Sequence, residues 1–207
     1  MILGVDTSLG TAVGLIGRDG RTLVEVANAE PLGHAEVIGA LMEQVLASVG
    51  DERIDHVAAG MGPGPFTGLR IGIAAARAFA LGRGIPVVAV PSHHAAALAF
   101  YEQEAPAQPF AILTDARRRE SAVTVYEGLD VDGIPHVVVD TVLVPRAEID
   151  RRLGALRRIE VASLSAAALA RVARRALAAG RTLAGSEPLY LRAPDARVPA
   201  APKRVGL

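Results

Sequence analysis

The stretch Gly60-Met61-Gly62-Pro63-Gly64-Pro65-Phe66-Thr67-Gly68-Leu69-Arg70-Ile71-Gly72 constrains this chain more than any other. Glycine and proline alternate through a loop that leaves a buried strand, His56–Met61, and enters a helix running to Gly82. Proline fixes φ and has no N–H to donate, so the loop is rigid. The helix is apolar or small on nearly every side, which demands cover all round, in its own core or against another subunit. Gly68, Gly72, Ala76 and Ala80 recur at every fourth position. That spacing predicts a nearly flat face that a partner helix can approach closely. Arg70 and Arg77 are the only charges on this helix before Arg83.

Composition narrows the class. A chain of 207 residues, 51% hydrophobic and 21% charged, can bury a substantial core. Acidic and basic residues balance at 22 each, so no global basic field holds nucleic acid. All but one of the basic residues are arginine, a coding bias more than a chemical signal. With no cysteine there are no disulfides, thiolate zinc sites or cysteine nucleophiles. The first residues enter a strand without a basic leader and no apolar run is long enough to span a bilayer, so a cytoplasmic protein without membrane contact is expected.

The pattern predicts strands at 2–6, 11–17 and 22–27, the last two joined at Asp19-Gly20, then a helix over 32–49. The strand 56–61, the helix 66–82, a strand 86–90 and a helix from Ser92, read as its cap, complete a βββαβαβα unit. A boundary falls near 103–108. Beyond it come strands near 110–115, 120–127 and 136–144, a helix near 146–153, and an alanine-rich helix from Ser163 or Ser165 to Ala179. The expected organisation is a first lobe over 1–104, a smaller second lobe over 105–193 and a mobile tail over 194–207. Each lobe opens on antiparallel strands, which suggests a duplicated α/β architecture.

Candidate chemistry is sparse. Asp6-Thr7-Ser8 ends the first strand, where a carboxylate either positions phosphates or a metal hydrate, or merely accepts turn N–H groups. The Gly62-Pro63-Gly64 loop resembles a phosphate cradle, but two of its positions are prolines and no Gly-Lys-Ser/Thr follows. His34 lacks a second histidine at the fourth position along, which is Ile38, so a zinc protease motif fails. Glu36 complements a helix N-terminus. His93 and His94 diverge and are poor metal ligands. Asp115-Ala116-Arg117-Arg118-Arg119-Glu120 is the densest charge cluster, either an anion-facing surface or a solvated turn. No triad order is present, so a serine hydrolase is not expected.

Ile2–Ser8, His34-Ala35-Glu36, Gly62–Gly72, Asp115-Ala116-Arg117-Arg118 and Glu187-Pro188-Leu189-Tyr190-Leu191-Arg192 occur in this order. The series resembles the bacterial TsaB (YeaZ) family of tRNA threonylcarbamoyladenosine biosynthesis, over residues 2 to about 192. The resemblance implies an actin-like (ASKHA, RNase H-like) fold of two lobes, mixed sheets flanked by helices. It implies a non-catalytic accessory subunit that docks and activates the TsaD transferase, with the TsaE ATPase joining. The chain would form a homodimer when alone and meet tRNA only through the complex. It would carry no cofactor, ATP and a divalent metal belonging to the partner subunits. The two first-lobe helices would make the contact, through His34, Glu36, Val37, Leu41, Phe66, Leu69, Arg70, Gly72, Ile73, Ala76, Arg77 and Ala80, while Asp6, Thr7 and Ser8 would at most bind phosphate weakly. The family usually carries a further strand before the last long helix, and Arg157–Ala162 leaves little room for one, so a trimmed second lobe is expected. The alternative is a small ATP-binding phosphotransferase or ATPase using Asp6 and the interlobe cleft.

Overall fold

The computed structural model describes residues 1–30, 33–50 and 52–192. The tail expected to be mobile, 194–207, lies outside them, as does Leu32. Strands β1 (Ile2–Asp6), β2 (Thr11–Ile16) and β3 (Thr22–Asn28) form an antiparallel meander. Helix α1 (His34–Ala47) leads to β4 (His56–Gly60), and helix α2 (Phe66–Arg83) leads to β5 (Val87–Val90). Both new strands add in parallel beside β1, giving the order β3-β2-β1-β4-β5. Helix α3 (Ser92–Glu104) crosses to a second sheet of β6 (Phe110–Asp115), β7 (Glu120–Leu129), β8 (Pro135–Pro145) and β9 (Arg157–Glu160), ordered β8-β7-β6-β9. A 3-10 turn (Arg146–Glu148) and α4 (Ile149–Leu153) precede β9, and α5 (Ala166–Ala178) closes the fold.

Alternation sorts the first sheet into two faces. Leu3, Val5, Val13, Leu15, Val57 and Ala59 point to the side of α1 and α2, with Ile38, Val45, Leu69, Ile73, Ala76 and Ala80. Ile2, Ile16, Ala58 and Val90 point to the other, against α3 and Ala167–Ala173 of α5. In the second sheet Phe110, Ile112 and Tyr126 meet Phe100 and Tyr101 of α3, and α4 covers the opposite face through Leu153. Helix α3 therefore serves both sheets, which is why it is buried almost from end to end.

Four expectations need correction. The last helix was placed in the second lobe; α5 instead packs on β1 and β2 of the first sheet. The reason is steric: Gly4 and Gly14 pair across β1 and β2, and the start of α5 rests on them. Any Cβ on Gly4 would overlap the Ala166 carbonyl, and one on Gly14 would stand 2.8 Å from the Ala167 nitrogen. Ser165 caps α5 by accepting from the Ala168 N–H, and Glu25 of β3 accepts from Ala167 N–H at 3.0 Å, a carboxylate at a helix N-terminus. Second, Arg157–Glu160 is a strand, parallel to β6, so the second sheet is not missing one there. Third, Ser92 does not cap α3; Pro91 holds the cap position and the serine hydroxyl is engaged elsewhere. Fourth, the side of α2 bearing Gly68, Gly72, Ala76 and Ala80 is turned inward.

The glycine contacts separate two kinds of site. Gly4→Ala is expected to cost about 3 kcal/mol, because rigid backbone meets the new methyl. Gly39→Ala, with nothing within 4 Å of the added atom, is expected to be neutral or to stabilise α1 by up to about 1 kcal/mol. Urea midpoints of the two variants check this.

Candidate functional site

The C-terminal ends of β1 and β5 lie at the same edge of the first sheet, and this brings Asp6 against Ser92. Asp6 is buried, its Oδ1 accepting the Ser8 N–H at 2.7 Å and its Oδ2 the Ser92 hydroxyl at 2.6 Å. Ser92 Oγ in turn accepts the Gly62 N–H at 3.0 Å, and lies 2.7 Å from Ser8 Oγ. Because the single Ser92 proton goes to Asp6, Ser8 is the donor in that last bond. Burial raises the Asp6 pKa, with the serine bonds pulling the other way. Thr7 donates to the Gly68 carbonyl at 2.7 Å.

The glycines of the opening motif now have a local cause. A Cβ on Gly60 would overlap the Asp6 carboxylate, one on Gly64 would be 2.8 Å from Ser8 Cα, one on Gly68 2.9 Å from Thr7 O, and one on Gly72 would overlap the Thr7 hydroxyl. The small-residue face admits the chain's own Asp6-Thr7-Ser8 turn. Of the twelve residues expected at a partner surface, Leu69, Gly72, Ile73, Ala76 and Ala80 are buried in the protein, as is His34. Val37, Leu41 and Phe66 are half-buried, while Glu36, Arg70 and Arg77 are exposed.

A cleft of about 610 Å3 opens between the lobes. One wall is the start of α1 (His34, Glu36) and of α2 (Pro65, Phe66, Gly68); the other is the turn after β6 (Asp115, Arg117, Arg118). Neither helix start carries a side-chain cap, so their free N–H groups leave this end of the cleft electropositive. His34 is held through Nδ1 by Thr11 Oγ1 at 2.8 Å. Asp6, Thr7 and Ser8 are not among the lining residues. Among the described residues no group of three His, Asp or Glu is arranged to hold a metal ion.

The floor of the cleft mouth is aromatic. Phe66 and Tyr190 stack with centroids 4.8 Å apart. The Arg70 guanidinium lies 3.9 Å from the Phe66 ring centroid and its Nε donates to Tyr190 OH at 2.9 Å. The segment carrying Tyr190 is strapped to α2 by Arg77 donating to the Ser186 carbonyl and to the loop by Leu189 N–H to Met61 O at 2.7 Å. Arg192 donates to Ala116 O and pairs with Glu120, so the strap ends on the second lobe. Residue types alone did not reveal the Ser92 hydroxyl bridge or this stack. The available signal was the parallel order of β1, β4 and β5, which puts Ser92 beside Asp6.

His93 and His94 are buried or half-buried and engaged by neighbouring hydroxyls. Thr124 and Thr114 engage both nitrogens of His93 at 2.7 and 3.0 Å, and Tyr126 meets His94 Nδ1 at 3.1 Å. Burial lowers the His93 pKa to about 3 and that of His94 to about 4.

Two lobes of mixed sheet around a cleft, joined through a shared helix, define the actin-like, RNase H-like class. A family model described as TsaD, tRNA N6-adenosine threonylcarbamoyltransferase, matches residues 30–143. An uncharacterized Mycobacterium tuberculosis protein is 36% identical over 140 residues, 64% of this chain and 60% of that one. The tRNA threonylcarbamoyladenosine biosynthesis protein TsaB of Haemophilus influenzae is 32% identical over 123 residues, 58% of this chain and 50% of that one. YeaZ from Pseudomonas aeruginosa superposes with a TM-score of 0.76 at 24% identity, covering 92% of this chain and 99% of that one. The first curated relatives are matched over 33% to 60% of their length. The chain belongs to the family that this TsaD model describes.

The buried titratable groups set a pH dependence. Each histidine, its folded pKa lowered, costs stability as pH falls below the unfolded value of 6.5. Asp6, its folded pKa raised, acts in the opposite sense, destabilising as pH rises from 3.8 through the folded value. Between pH 7 and pH 5 the two histidines outweigh the single carboxyl, so stability falls as the pH is lowered, with Asp6 offsetting part of the loss. Urea unfolding at the two pH values measures it, and His93→Gln should flatten the dependence.

Proposed function

We propose that this chain is an accessory subunit of a tRNA threonylcarbamoyladenosine-forming assembly and supplies no catalytic group itself. It docks a TsaD-type transferase, shifts that partner toward its competent state, and pairs with a second copy through the same surface when alone. A TsaE-type ATPase joins the assembly, in the cytoplasm, and ATP and the divalent metal are held by the partners. Family membership supports the pathway. The observation that carries the docking role is the outward side of α2, where Ala74, Ala78 and Gly82 leave a flat exposed strip beside Leu81, which is 85% exposed. Gly39 and Ala40 of α1 are likewise exposed and small. A large exposed leucine among small residues is costly in water and suits a helix partner. The docking set thus keeps Glu36, Arg70 and Arg77, drops the buried Gly72 and Ala76, and gains Ala74, Ala78 and Leu81.

The phosphotransferase alternative rests on Asp6, whose two oxygens are already bonded to Ser8 and Ser92 in a buried site. ATP turnover by the isolated chain, lost in Asp6→Ala, is the result that would restore it.

Light scattering of the chain alone and mixed with its TsaD-type partner is the test. Ala78→Arg should keep the folding free energy within about 0.5 kcal/mol yet abolish both dimer and mixed complex. Full retention of both by that variant overturns the surface. Gly72→Val, by contrast, should unfold the chain.

A further inference from the structure

The turn joining β6 to β7 is built against the grain of the backbone. Arg117, Arg118 and Arg119 adopt φ of 61°, 51° and 61°, three consecutive residues with side chains in the left-handed region. Such residues are disfavoured one at a time, and a run of them persists only when its surroundings impose it. Here Asp115 Oδ1 accepts the Arg117 N–H at 2.9 Å, Ala116 N–H reaches Glu120 O at 3.1 Å, and Arg192 grips both Ala116 O and the Glu120 carboxylate. Arg146 pairs with Asp115 at 2.8 Å, and its N–H holds the Arg119 carbonyl. Every carboxylate of the turn is therefore spent on fixing it. The side chains of Arg117 and Arg119 are exposed and have no ion-pair partner among the described residues. Five arginines stand here against two carboxylates, in a chain whose formal net charge is zero.

Beside this basic turn, along the same cleft, lies the Phe66–Tyr190 stack with Arg70 over it. Aromatic residues are only 3% of the chain, and Phe100, Tyr101, Phe110 and Tyr126 are all core. An accessible aromatic pair with a guanidinium next to unpaired arginines is the chemistry that receives single-stranded RNA: phosphates on the arginines, an unstacked base on the rings. An acidic protein surface would use the arginines but would have no need of the rings.

We propose that the cleft mouth and the arginine turn beside it form an RNA-contacting surface, in which Arg117 at the cleft wall and Arg119 further along the turn take phosphates and the Phe66–Tyr190 stack takes a splayed base from a single-stranded loop. The inference rests on the tRNA-modification reading above and adds a direct contact from this chain, where the sequence resemblance implied contact through the complex alone. Glu36, which also lines the cleft, sets the limit of the phosphate path by repulsion.

Fluorescence anisotropy with a fluorescein-labelled, unmodified tRNA anticodon stem-loop tests it, on the chain alone and with its TsaD-type partner, across a salt series. The wild type should bind in at least the mixed sample. Arg117→Gln/Arg119→Gln should weaken that binding about tenfold and reduce the slope of log K against log salt by about 2. Tyr190→Ala should weaken it about fivefold or more with the salt slope unchanged. Unchanged RNA affinity in the arginine double variant overturns the proposal, as does equal affinity for polyglutamate or full displacement of the stem-loop by free AMP. Complex formation by the double variant, followed by light scattering, separates the two readings. Intact docking with unaltered RNA binding sinks this inference alone, whereas loss of docking in the wild-type mixture sinks the accessory-subunit reading.

Discussion

Backbone running against backbone without an intervening Cβ is the constraint on which this structure depends. Gly4 and Gly14 let α5 lie directly on β1 and β2, and Gly60, Gly64, Gly68 and Gly72 let β4, the rigid loop and α2 close around the Asp6-Thr7-Ser8 turn. The first set acts on β1 and β2 under α5, and the second acts around the turn that leaves β1. A methyl group at either set would push a helix off the sheet, and because interiors are close-packed the displacement would spread through both layers. The hydrogen bonds of Asp6, Ser8 and Ser92 are possible only because those glycines bring the turn, the loop and the start of α3 within reach of one another.

That proximity has a chemical consequence. The carboxylate at the end of β1 is consumed by structure: two donors reach it, burial disfavours its charge, and the cleft lining passes it by. The cleft is left with a different character, helix N-termini on one wall, arginines on the other, and an aromatic pair at the mouth. Its character is electropositive and aromatic.

The strands and helices were largely legible because their patterns are strong: alternation in β1 and β2, the periodic stripe of α1, the apolar α2. The burial of α2 was also legible, but not what covers each of its sides. Gly68, Gly72, Ala76 and Ala80 announce a close approach without saying whose chain approaches, and the answer lies in Thr7, some sixty positions upstream in sequence. The place of α5 failed for a related reason. The pairing of Gly4 with Gly14 exists only once the β1–β2 register is known, and a run of alanines gives no hint of which sheet it covers. The short β9 was missed because Arg157-Arg158-Ile159-Glu160 lacks apolar alternation; its pairing with β6 comes from tertiary position. At the site, the arginine turn was visible as a charge cluster, but its left-handed backbone and the loss of its carboxylates to Arg146 and Arg192 were not.

The strap over residues 186–192 ties these regions together. It is held to α2 by Arg70 and Arg77 and to the second lobe by Arg192, so α2 and the arginine turn are linked through a single extended segment. Arg70 belongs to both surfaces, flanking the exposed strip of α2 and stacking over Phe66. A change in the strap therefore acts on α2 and on the cleft mouth together. Positions off the strap separate them: Ala78 faces outward from α2, whereas Arg117 and Arg119 stand on the turn after β6.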